Sequence, residues 1–194
     1  MAHKLLVEAV AFSLIGPVIE KKFLVNSIPY LYEPSGVIPA LPHAYGLIIA
    51  ILAGYSFWLT TFGMKVGQAR SKYRALAEKA GETDLERYSY PNLYVFGTSE
   101  NARAVNNAQR AHQHVLECIA QMFFATLVSA TAFPLTTALS TFLWAWGRVE
   151  WSNAYLEHGA EKRYTHFLSS WIWKGLLINF MLAFITAGYF VVPV

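Results

Sequence analysis

Three apolar tracts organise the chain. The first, Tyr45–Met64, runs for twenty residues without a charge, and a helix needs ~20 apolar residues to cross the hydrocarbon core of a bilayer. The second, Val115–Trp146, holds one charge, Glu117, and its thirty-two residues are too long for one span. Pro134 falls inside it, and proline removes a backbone donor and clashes one turn back. The pattern therefore predicts two helices here, about Arg103–Ala132 and Pro134–Tyr155, joined by a tight turn. The third tract runs from Trp171 to Val194, with Lys174 near its start, where a lysine can snorkel to the interface. The expected architecture is all-α: an integral membrane bundle of four transmembrane helices, with no internal repeat.

Upstream, Leu5–Ile19 is apolar but only fifteen residues long, and it contains Glu8 and Pro17. That is short for a span and suits an interfacial or re-entrant helix. Glu20-Lys21-Lys22 follows where a signal peptide would carry small residues. Pro29, Pro34, Pro39 and Pro42 make residues 23–44 an irregular lead-in, to be placed at the surface or against protein. The chain divides into an N-terminal extension, residues 1–42, and a four-helix domain, residues 43–194.

Charge sets the orientation. Residues 65–114 carry eight Lys and Arg, and residues 156–170 add Lys162 and Arg163. With four helices both stretches fall on one side, which the positive-inside rule places in the cytoplasm or an organelle matrix. Of the 194 residues, 55% are hydrophobic and 14% charged, far from an ordinary soluble composition. The aromatic content of 15% fits membrane–water interfaces. A net charge of +3 gives no case for nucleic acid, and a single cysteine excludes an internal disulfide or a Cys-built zinc site.

Ionisable residues in membrane helices are costly and mark functional positions by default. Arg110, Gln113, His114 and Glu117 lie at helical spacing on one face of the second helix. Arg148, Trp151 and Tyr155 form a stripe on the third, which Lys162 would extend if the helix continued. Two polar stripes near the basic side suggest an anion site, and the charged fork of arginine suits carboxylates and thiolates. Interhelical glue and interfacial anchoring are the competing explanation. His112 and His114 are two apart and point to different helix faces, so no metal site is expected.

The run NNAQRAHQHVLE (Asn106–Glu117), the earlier ARSKYR (Ala69–Arg74) and the later WGRVEWSNAY (Trp146–Tyr155), with EKR ending at Arg163, resemble the MAPEG superfamily. These are membrane-associated proteins of eicosanoid and glutathione metabolism, and within them the type 3 microsomal glutathione transferases look most similar. The likeness covers residues 43–192 and not the first 42. It implies a homotrimer that binds glutathione between subunits and turns its thiolate on lipophilic electrophiles or lipid hydroperoxides. On that pattern Arg70, Arg110 and Arg148 hold the tripeptide, Glu117 takes its amino group and Tyr155 its backbone. Lys162 or Arg163 lowers the thiol pKa. His114 and Trp151 occupy ligand positions where the family usually has Asn and Tyr, and Glu150 adds a negative charge beside Arg148.

Two functions follow as expectations. One is a membrane glutathione transferase or peroxidase with glutathione as co-substrate and no metal. The other is a non-catalytic subunit of a larger membrane complex, for instance of the mitochondrial respiratory chain. It is motivated by the two altered ligands and the added N-terminal segment. Either could reside in the endoplasmic reticulum or a mitochondrial membrane.

Overall fold

A computed structural model describes residues 2–36, 40–90 and 92–191. Five long helices make the molecule: α1 (Ala2–Ile19), α2 (Tyr45–Lys79), α3 (Glu100–Ser129), α4 (Pro134–His158) and α5 (Trp171–Val191). Helices α2 to α5 form the bundle. Both α3 and α4 touch the other three, while α1 packs against α5. Pro39 and the last three residues of the third apolar tract lie outside the described residues.

The predicted helices are all present with shifted ends, and α3 runs from Glu100 to Ser129 rather than from Arg103 to Ala132. Helix α2 was expected to leave the apolar tract at Met64, yet it continues to Lys79. Its 35 residues rise about 52 Å in all, so some fifteen exceed a ~30 Å hydrocarbon core. The polar run 65–79 is thus a helical stalk rather than loop. Gly81, at φ 78°, ends it. Helix α4 begins at Pro134 as expected and stops at Gly159, whose φ of 73° no other residue type takes easily. This stop corrects one expectation: α4 ends before Lys162, so the Arg148–Tyr155 stripe does not continue to that lysine.

The N-terminal segment, expected as an interfacial or re-entrant helix, lies parallel to α5 along most of its length. Glu8 is ion-paired with Lys174, Ser13 Oγ meets Met181 Sδ, and Lys21 sits over the ring of Phe133, which itself meets Tyr189. Beyond Ile19 the helix widens into a π-turn, Glu20–Leu24, and closes with Val25–Ser27. The Pro-rich stretch then turns back through a 3₁₀ turn, Pro29–Tyr32, and a bridge between Pro34 and Pro42.

Two features hold the bundle. One is an apolar core of Tyr55, Leu59, Val115, Met122 and Trp144. The other is a polar knot at Asn179. Its Nδ2 donates to Thr126 Oγ1 (3.2 Å) and Thr141 Oγ1 (3.1 Å), and its Oδ1 accepts from Ser140 Oγ (3.0 Å). The knot joins α3, α4 and α5, as interhelical polar contacts do where packing has no hydrophobic drive. Glycines let α4 approach its neighbours: a Cβ on Gly175 would lie 2.6 Å from Trp144 Cβ, and one on Gly147 2.5 Å from the Leu168 carbonyl.

Candidate functional site

The centre of the candidate site is Arg148. Helix α4 carries it inward, and its side chain is completely buried. Its Nη1 lies 2.7 Å from His114 Nδ1 of α3. An arginine has only donors, so this contact makes Nδ1 the acceptor and the imidazole neutral. The guanidinium is 5.7 Å from the ring centre of Trp144 and 5.9 Å from that of Trp151. Its Nε and Nη2 have no partner, and among the described residues no carboxylate pairs with it. A buried cation without a counter-charge carries a heavy desolvation cost. Spare donors pointed at an anion are the usual compensation for such a cost.

An aromatic wall surrounds this cation. His114 stacks on Trp151 at 4.5 Å and meets the edge of Trp173 at 5.9 Å, and Tyr155 continues the row 5.0 Å beyond Trp151. The structure therefore brings His114, Arg148, Trp151 and Tyr155 into one cluster between α3 and α4. Trp173 of α5 closes it, a residue the spacing argument did not single out because it sits on a third helix.

Arg110 and Glu117, placed with His114 on one face by spacing, form a pair of their own. Arg110 Nη1 lies 2.5 Å from Glu117 Oε1, and Nη2 3.4 Å from Oε2. Their side chains are 37% and 43% exposed, so this pair lies on the outer surface of α3 while His114 turns inward. Tyr94 donates to Gln113 at 2.5 Å just above it.

Arg70 stands apart. Buried near the end of the α2 span, it donates to the carbonyl of Leu93 (2.8 Å), the carbonyl of Tyr88 (3.5 Å) and Gln109 Oε1 (3.3 Å), and packs against Tyr90. Those bonds fasten the connection between α2 and α3 onto the bundle. Gln109, which the sequence reading passed over, is the α3 side of that fastening. Lys162 is exposed on the α4–α5 connection, and Arg163 beside it lies over Tyr164. The Arg163 charge lies within electrostatic reach of His114, so it borders the Arg148 cluster.

A second polar centre organises the α2–α3 connection. Glu82 accepts from Tyr88 Oη (2.9 Å), Asn101 Nδ2 (3.2 Å) and the Arg87 guanidinium. Partial burial pushes its carboxyl up, but the bonds from Asn101, Tyr88 and Arg87 outweigh that and hold it at about 2.

The geometry is that of a membrane helix bundle with an inward arginine, an outward Arg–Glu pair and a cationic rim at one end. The family comparison agrees: the MAPEG family model matches residues 47–187. The chain therefore belongs to the MAPEG family, and it is a membrane protein. Two of its helical segments, Tyr45–Lys79 and Phe167–Val191, are long and apolar enough to cross a membrane. No solved structure matches it.

Proposed function

We propose that the protein is a multi-pass membrane glutathione transferase with peroxidase capacity, active as a homotrimer. The observation that carries this reading is Arg148, a buried guanidinium with two free donors and no carboxylate partner. Arg110 and Arg148 hold the two carboxylates of glutathione, Glu117 its ammonium and Tyr155 its backbone. Arg70 keeps the overlying connection in place. Lys162 or Arg163, supplied at the same end of the bundle, stabilises the thiolate, which is the nucleophile. The thiolate either attacks an electrophilic carbon of a lipophilic substrate, which expels a leaving group or takes up a proton, or attacks the outer oxygen of a lipid hydroperoxide and releases the alcohol; a second glutathione then displaces water from the resulting sulfenic acid to give the disulfide. The half-exposed Arg110–Glu117 pair lies at the edge of the cluster, where a neighbouring subunit would complete the site.

The test is a titration of the detergent-purified protein with glutathione, read by the ultraviolet thiolate band and by melting temperature. Arg110→Ala serves as comparison, because that side chain is partly exposed and its loss leaves the core intact. The expected result is a thiolate band and a raised melting temperature, both lost in the variant. Absence of both in the unaltered protein overturns the reading. A structural, non-catalytic subunit is the second reading. It is favoured by Arg70, whose two Nη groups are committed to the Tyr88 and Leu93 carbonyls and to Gln109, and co-purification with other membrane chains would support it.

A further inference from the structure

The N-terminal helix builds a cleft that the four-helix domain lacks alone. Between the start of α1, the α4–α5 connection and the start of α5 lies a space of about 760 Å³ with a largely apolar lining. Leu5, Phe167 and Leu177 supply apolar walls, and Lys4, Glu8 and Lys174 supply charge. Ligand clefts of this size enclose one drug-sized molecule. Lys4 and Glu8 lie outside the matched residues 47–187, so this half of the cleft belongs to the added segment.

Its charge is unbalanced. Glu8 is shared between Lys174, with which it is ion-paired, and Lys4, 3.9 Å away. Two ammonium groups face one carboxylate, which leaves one positive charge at the mouth. Lys174 is mostly buried, its side chain 19% exposed, while Lys4 is 83% exposed. The cleft sits at the cationic end of the bundle, where the apolar helices meet the polar connection. Trp173 forms part of its wall and donates to Tyr164 Oη at 2.9 Å. The same indole meets His114 edge-on, so the cleft and the arginine cluster lie on either side of one ring.

We infer that this cleft binds a single-chain anionic amphiphile of the fatty-acid type. The carboxylate lies between Lys4 and Lys174, and the acyl chain runs along the apolar lining of the cleft past Leu5, Phe167 and Leu177. One net positive charge matches one carboxylate, and a half-open cleft of about 760 Å³ matches one chain rather than the two of a diacyl lipid. The inference stands independently of glutathione binding.

The test uses the full chain in phosphatidylcholine nanodiscs with a trace of nitroxide-labelled stearate, at a pH where the label is ionised. The motionally restricted fraction of the spin-label spectrum reads binding. Labelled methyl stearate and labelled phosphatidic acid are the comparisons, with Leu5→Trp to fill the cleft and Lys4→Gln to remove the exposed charge. The expected result is saturable restriction of stearate, little of the ester, and loss in Leu5→Trp. Lys4→Gln, whose exposed site leaves folding untouched, weakens retention by about two- to fivefold. Equal retention of the ester, stronger retention of phosphatidic acid, or unchanged stearate binding in Lys4→Gln overturns the inference.

Discussion

Glu20 and Thr136 stand 116 positions apart in the chain, and the Thr136 backbone N–H donates to the Glu20 carboxylate at 2.7 Å. Leu135 N–H donates to the other oxygen at 2.9 Å, and Tyr32 Oη adds a bond of 3.2 Å. A helix start leaves its first N–H groups without intrahelical partners. The residue at the cap position of α4 is Phe133, which has no side-chain acceptor, and Pro134 brings no N–H. A fully buried glutamate from another helix supplies what the local sequence lacks.

Glu20→Ala therefore removes a cap and a buried polar contact together. The expected cost is about 1–3 kcal/mol, measured by thermal unfolding in detergent, with Glu20→Gln falling between the variant and the unaltered protein. An unchanged midpoint for Glu20→Ala would show that α4 needs no such cap.

Arg148→Met tests a trade of function against stability. The methionine fills much of the same volume and removes a buried charge that has no carboxylate partner. The apo protein is expected to gain about 1–4 kcal/mol while glutathione binding disappears. Calorimetry with and without glutathione reads both. A strong loss of stability would instead mean that His114 and the two tryptophans already compensate the charge.

Gly175→Ala is expected to destabilise by about 1–3 kcal/mol, because the new methyl meets Trp144 Cβ at 2.6 Å and the Ser140 carbonyl at 3.1 Å. Gly54→Ala, also in a helix but with nothing within 4 Å, should be neutral or gain up to about 1 kcal/mol. Paired melting curves decide whether the close approach of α4 and α5 is essential.

Glu82 gives a pH signature. Its carboxyl is held at about 2 against the usual 4.5, so the unfolded chain binds a proton more readily than the folded one. The contribution of Glu82 to the α2–α3 connection is complete above pH 4.5 and fades as pH falls toward 2. Hydrogen exchange of residues 82–101 should accelerate across that window. Glu82→Gln should be insensitive to pH there and looser throughout; a matching acid response in that variant would assign the effect elsewhere.

The helical plan was legible because apolar length is a direct record of bilayer thickness, and Pro134 marks its break openly. The stalk at residues 65–79 was not, since charge reads equally as loop or as helix projecting into water. Site residues on one helix could be grouped by spacing, as Arg110 and Glu117 show. Spacing could not tell that His114 turns inward to Arg148 while its neighbours turn out. That depends on how α3 and α4 are rotated against each other, a property of packing. Glu20 was invisible for a related reason: its lysine neighbours suggest a solvated turn, and its backbone partners Leu135 and Thr136 lie beyond α2 and α3.

The parallel contact of α1 with α5 makes the first helix and the last immediate neighbours. Every intervening helix is synthesised while that seam is open. Leu182 and Ile178 reach the core they share with Ala9 only once α5 has been made. The α1 surface therefore stays an open edge until α5 docks on it.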